Sequence, residues 1–145
     1  MTGRSFVDTN ILVYGQDGRD PAKQRRAQQL AAELVESGTG VISTQVMQEF
    51  YVTVTGKLRL APAEAKAVLR TLAAFEIVQV TPGMVQEAVD CAVLNKISFW
   101  DALIIVAAET AGCTTLYSED LGSGQTILGV KVVNPFVVLR GDRPN

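Results

Sequence analysis

Histidine is absent from the 145 residues, which removes a histidine general base, a Ser-His-Asp or Cys-His site and a histidine-ligated metal. Any chemistry must therefore run on carboxylates. Cysteine is scarce: Cys91 and Cys113 stand far apart without C-x-x-C spacing, so neither zinc nor a dithiol redox motif finds ligands. Two buried thiols in a reducing cytoplasm are the expectation. No apolar run approaches the ~18 residues of a membrane span, because Ala102–Ala108 ends at Glu109. The N-terminal residues run straight into a strand-like segment and lack the pattern of a secretory leader. An excess of positive charge is also missing: 13 Lys and Arg against 15 Asp and Glu give a net charge of −2. A nucleic-acid site must then be local, or built with a metal.

Apolar side chains are plentiful, at 48% of the sequence, enough for a core without disulfides or structural zinc. One domain over residues 1–139 is expected, with a loose tail at Arg140–Asn145. Turn signals at Asp17-Gly18, Ser37-Gly38-Thr39-Gly40, Pro82-Gly83 and Gly122-Ser123-Gly124 punctuate the chain, and no repeat or low-complexity tract is visible. Ser5–Val7, Gly40–Ser43, Glu76–Val80 and Thr114–Tyr117 read as strands. Lys131–Val133 reads as a weaker fifth, closed by Asn134-Pro135, where proline stops pairing. Helical spacing covers Pro21–Glu36, Thr44–Thr55, Pro62–Ala74, Pro82–Asn95 and Phe99–Ala111, the last stopped by Gly112. Strands alternating with helices imply a mostly parallel sheet covered by helices. Ligands of such sheets bind beyond the carboxyl ends of the strands, where acids from several segments can converge.

Four acids occupy such places, and each has a plainer role. Asp8 ends the first strand and can enter the crevice or cap the next short helix, the commoner role on local pattern. Glu49, in the apolar Thr44–Thr55 helix, faces either a narrow polar stripe or a site. Asp101 opens an almost wholly apolar helix, and Ser98-Phe99-Trp100-Asp101 has capping-box spacing; capping leaves an oxygen free for a cation. Trp100 is expected to pack rather than to stack on a base. Asp120 follows the Thr114–Tyr117 strand through Ser118-Glu119, either as a turn residue or in the same crevice as Asp8 if the two strands are neighbours. Carboxylates crowded together repel unless a divalent cation neutralises them, so the set predicts a hard cation held by oxygens. Magnesium uses one or two direct carboxylates, so four acids could serve one ion or two. Such an ion polarises a phosphodiester and lowers the pKa of an attacking water, giving hydrolysis without histidine.

Val7-Asp8-Thr9-Asn10, Gln45-Val46-Met47-Gln48-Glu49-Phe50, Phe99-Trp100-Asp101-Ala102 and Ser118-Glu119-Asp120-Leu121 together resemble the PIN-domain nucleases. Within them they resemble the VapC-like toxins of bacterial and archaeal toxin–antitoxin pairs, over Phe6 to Phe136. The resemblance implies a three-layer α/β/α sandwich with a central mostly parallel sheet, and an endoribonuclease dependent on Mg2+, with Mn2+ as the alternative. It makes Asp8, Glu49, Asp101 and Asp120 the catalytic tetrad, with Asp8, Asp101 and Asp120 on the metal. Asn10, Ser118 and Glu119 match supporting positions. It also implies an RNA substrate, a cognate antitoxin and a homodimer in the cytoplasm, with no membrane partner. Apolar residues of Thr44–Thr55 are candidates for these surfaces, or are core. Lys23, Arg25 and Arg26, or Lys57, Arg59, Lys66 and Arg70, are either phosphate contacts or solvated helix faces. Three rivals stand beside this reading. A haloacid-dehalogenase-like phosphatase would need Asp where Asn10 stands; the others are a PIN-like docking module without catalysis and a housekeeping PIN nuclease without an antitoxin.

Overall fold

A computed structural model of the chain describes residues 3–137. The expected tail at Arg140–Asn145, and the ends of the expected 1–139 domain, lie outside the described residues. Helix starts follow the local chemistry closely. Asp20, Ser43, Thr81 and Ser98 each accept a hydrogen bond from a backbone N–H of the first turn they precede, supplying partners that the helix itself cannot. Proline opens three of the helices, where its missing N–H costs nothing. Element order is β1 (Arg4–Val7), α1 (Thr9–Tyr14), α2 (Pro21–Ser37), β2 (Gly40–Ser43), α3 (Thr44–Gly56), α4 (Pro62–Thr71), β3 (Glu76–Val78), α5 (Pro82–Asn95), α6 (Phe99–Thr110), β4 (Cys113–Tyr117), β5 (Thr126–Ile127) and β6 (Val130–Val133). Gly112, at φ 74°, ends the last helix in the left-handed region as expected.

The strands form one sheet in the order β3-β2-β1-β4-β6-β5, parallel throughout except for the β5–β6 pair. Helices cover both faces, giving the expected α/β/α sandwich. Three expectations need adjustment. The sheet has a sixth strand, the two-residue β5, made by the turn back onto β6 rather than by any apolar run of its own. The third strand stops at Val78, and Val80 donates its N–H to the Thr44 hydroxyl instead of pairing. The Pro62 helix tightens into a 3-10 turn at Leu72–Ala74 before Phe75 drops into the core.

Apolar packing accounts for the layers. In α6 every residue from Ala102 to Ala108 is buried, as a helix that is hydrophobic all round requires. It lies against β2, β4 and β6, with α5 packed on it. Phe6, Ile42, Phe50, Leu116 and Phe136 fill the centre, and both cysteines are buried free thiols. Burial pushes the Cys113 thiol up to about 11. Among the described residues no single helix is long and apolar enough to cross a membrane.

Strand order fixes where a site can form. β1 and β4 are neighbours, but from β1 the chain moves outward through β2 to β3 and from β4 outward on the other side to β6, so a crevice opens beyond the carboxyl ends of this central pair. Val7 is in register with Tyr117, and the Asp8 N–H continues the ladder to the Tyr117 carbonyl at 3.0 Å. The ends of β1 and β4 are therefore neighbours, the condition on which Asp8 and Asp120 could share a crevice.

Candidate functional site

Beyond those strand ends lies a cleft of about 750 Å³ whose lining includes Asp8, Glu49, Asp101 and Asp120, with Asn10, Gln45, Trp100 and Glu119. Each acid arrives on a different element. Asp8 is the N-cap of α1, and its Oδ1 accepts the Thr9 N–H at 2.7 Å. Capping and facing the crevice thus coexist in one side chain. Its Oδ2 accepts the Ser118 hydroxyl at 2.8 Å and the Asn10 amide at 3.3 Å. The same Asn10 amide donates to Asp120 Oδ2 at 3.1 Å, while Asn10 Oδ1 accepts the Glu119 N–H. Asn10 and Ser118 therefore stitch the end of β1 to the loop after β4.

Glu49 projects from α3. Its Oε1 accepts the Thr9 hydroxyl at 2.6 Å and its Oε2 the Gln45 amide at 3.1 Å. Asp101 is in the first turn of α6, where its backbone N–H is capped by Ser98 Oγ at 3.0 Å. Burial pushes the Asp8 carboxyl up to about 6; bonds from Ser118 and the Thr9 N–H oppose the rise, and the charges of Glu49 and Asp101 add to it. Glu119 is placed differently. It pairs with Lys23 and accepts the Tyr14 hydroxyl at 2.8 Å. Burial works against the Lys23 ammonium, but its bonds to Glu119 and Tyr14 outweigh that and its pKa is raised. Lys23 also lies over the Tyr14 and Phe136 rings. It is thus an anchor of the Glu119 loop, whereas Lys57, Arg59, Lys66 and Arg70 are exposed.

Thr9 and Gln45 belong to the site although sequence reasoning assigned them no role. Gln45 offered one signal: it stands four residues before Glu49, a spacing that makes side chains on a helix neighbours. The Thr9 bond crosses 40 positions and has no local signature. Trp100 is packed less than expected: it meets Phe99 edge-on, but the indole is 60% exposed and lines the cleft, because α6 turns inward only from Ala102. In α3, Val46, Phe50 and Val54 are core, leaving Val52 as the exposed apolar residue.

The donors suit a hard cation. All are oxygens, none of the four acids is paired with Lys or Arg among the described residues, and the buried Gln45 Oε1 in the cleft wall lacks a hydrogen-bond donor. Among the described residues no three acidic side chains form a ready ligand cluster. The four share a cleft rather than a coordination sphere, which accords with magnesium's habit of few direct carboxylates and several waters.

Comparison with known proteins agrees with this architecture. Residues 5–122 match the PIN domain model, and no curated protein matches the chain. Three solved structures superpose well. The VapC20 toxin of Mycobacterium tuberculosis, which cleaves the sarcin-ricin loop, is 23% identical at a TM-score of 0.68, covering 80% of this chain and 89% of its own. A toxin–antitoxin complex from Klebsiella pneumoniae is 22% identical at 0.67, covering 90% and 97%. VapBC2 of Rickettsia felis, bound to a DNA fragment from its promoter, is 17% identical at 0.63, covering 88% and 96%. These likenesses concern the fold. The family match, spanning most of the sequence, says more: the chain belongs to the PIN-domain family.

Proposed function

We propose that this protein is a Mg2+- or Mn2+-dependent endoribonuclease and the toxin of a toxin–antitoxin pair. The observation that carries the reading is the convergence of Asp8, Glu49, Asp101 and Asp120 on one cleft, with no cationic side chain paired to them among the described residues. Asp8, Asp101 and Asp120 would hold the cation, one or two of them directly and the rest through its waters, and the cation when bound would supply Lewis-acid stabilisation of charge on the phosphodiester. Asn10 and Ser118 fix the Asp8 and Asp120 carboxylates relative to one another. Glu49, whose oxygens accept from Thr9 and Gln45, would accept a proton from the attacking water.

The toxin role is supported by fold likeness to the Klebsiella toxin–antitoxin complex and to VapBC2 of Rickettsia; in this reading a small antitoxin would cover the cleft, in the cytoplasm. For the homodimer, α5 offers an apolar stripe of Val85, Val89 and Val93 beside Leu94, all exposed.

Antitoxin-free protein incubated with a panel of single-stranded RNAs in magnesium, manganese or EDTA tests the reading, beside a folded Asp8→Ala, Asp101→Ala double variant. Metal-dependent cutting that the double variant lacks is the expected result. A well-folded protein that neither cuts RNA nor gains thermal stability from either metal would instead be a docking module.

A further inference from the structure

The cleft wall carries a residue that hydrolysis alone does not require. Every other aromatic side chain among the described residues is buried or half-buried, whereas Trp100 is 60% exposed. It precedes Asp101 and lines the same cleft as the four carboxylates. Its surroundings hold it firmly. Phe99 meets the indole almost perpendicularly, with ring centroids 5.1 Å apart. Gln45, itself buried, donates from one amide nitrogen to the Trp100 carbonyl and to Glu49 Oε2, both at 3.1 Å. The backbone that carries the indole is therefore tied to the carboxylate site.

Charge in the cleft leaves work for such a ring. Arg19 lines it but is engaged with Asp17, and Lys57 is the other cationic side chain in the lining. With a net charge of −2, phosphate attraction is a weak source of affinity for a polynucleotide. Stacking on an aromatic ring is a source that needs no charge and tolerates any base. We propose that Trp100 is a stacking platform for an unpaired nucleobase of the strand held in the cleft, so that the substrate is single-stranded at that position. The proposal rests on the nuclease reading above.

The chain contains one tryptophan, so its intrinsic fluorescence reports on this ring alone. The probe is the tightest-binding single-stranded RNA of the panel, with calcium replacing magnesium, compared with an abasic ribose-phosphate chain of equal length. Indole emission should change on adding the RNA and stay constant on adding the abasic chain. By anisotropy, Trp100→Leu should weaken RNA binding roughly 5- to 150-fold, the worth of stacking one base. Trp100→Phe should restore most of the loss, and neither variant should alter binding of the abasic chain. Circular dichroism confirms folding. Equal RNA affinity for wild type and Trp100→Leu would overturn the platform and leave the nuclease reading intact. A wild type that binds no RNA would overturn both. An unchanged affinity accompanied by altered sedimentation would assign the indole to a contact between copies of the chain.

Discussion

Replacing Asp8 by asparagine should make the metal-free protein more stable at neutral pH while destroying its response to metal. Burial carries the Asp8 carboxyl from its ordinary 3.8 to about 6. At about 1.4 kcal/mol per pH unit, the folded state bears roughly 3 kcal/mol for keeping this group ionised. Because the folded pKa is raised, the group's stabilising contribution is full below pH 3.8 and disappears as pH rises through about 6. Asparagine removes the charge and keeps an acceptor for the Thr9 N–H. It also sets a new N–H opposite the donating Asn10 amide and obliges the Ser118 hydroxyl to turn and accept instead of donate, which together return about 1 kcal/mol. The net gain is about 1–2 kcal/mol, or roughly 3–8 °C in Tm for a chain of this size. Thermal unfolding followed by circular dichroism in EDTA, at pH 7.5 and pH 4.5, checks this. Asp8→Asn should gain at the higher pH and gain little at the lower. Magnesium at a hundred times its Kd should then raise the wild type by about 2.7 kcal/mol and leave the variant unmoved. A lower Tm for the variant at pH 7.5, or a gain equal at both pH values, would refute the reasoning about the buried charge.

Other consequences are more local. Thr9→Val keeps the shape of the helix start but removes the hydroxyl that holds Glu49; RNA cleavage should fall about 10- to 100-fold with Tm nearly unchanged, measured by initial rates beside melting curves. Phe50→Ala opens a void in the packed centre of α3, where the ring is 1% exposed, and should cost about 3–5 kcal/mol in denaturant unfolding. The raised thiol of Cys113 should resist alkylation in the native state and react fully in urea, read by mass spectrometry.

The parts of this architecture that announced themselves in the sequence are those governed by neighbours along the chain. Ser98, read from its capping-box spacing to Asp101, caps α6, and proline opens α2, α4 and α5. β5 was invisible because two residues in a turn-rich stretch become a strand only through pairing with β6. The four acids could be listed from motifs, but their meeting depended on β4 inserting beside β1, a topological fact. The partners that hold them, Thr9 for Glu49 and Asn10 for Asp120, act across 40 and 110 positions. Trp100 misled in the other direction: large aromatics are highly buried on average, and the inward turn of α6 at Ala102 decided otherwise.

The insertion of β4 beside β1 also governs when the cleft can exist. The central pair of the sheet joins segments about as far apart as the chain allows, with Asp8 and Ser118 separated by 110 positions. Closing so long a loop is entropically costly and slow. During synthesis, a nascent chain lacking β4 has neither the strand that flanks β1 nor the residues that fasten Asp8. Amino-terminal fragments ending before Cys113, whether from stalled translation or proteolysis, are therefore without the cleft however much of their helical structure survives. Addition of β4 and the loop that follows it is itself the step that assembles the four acids.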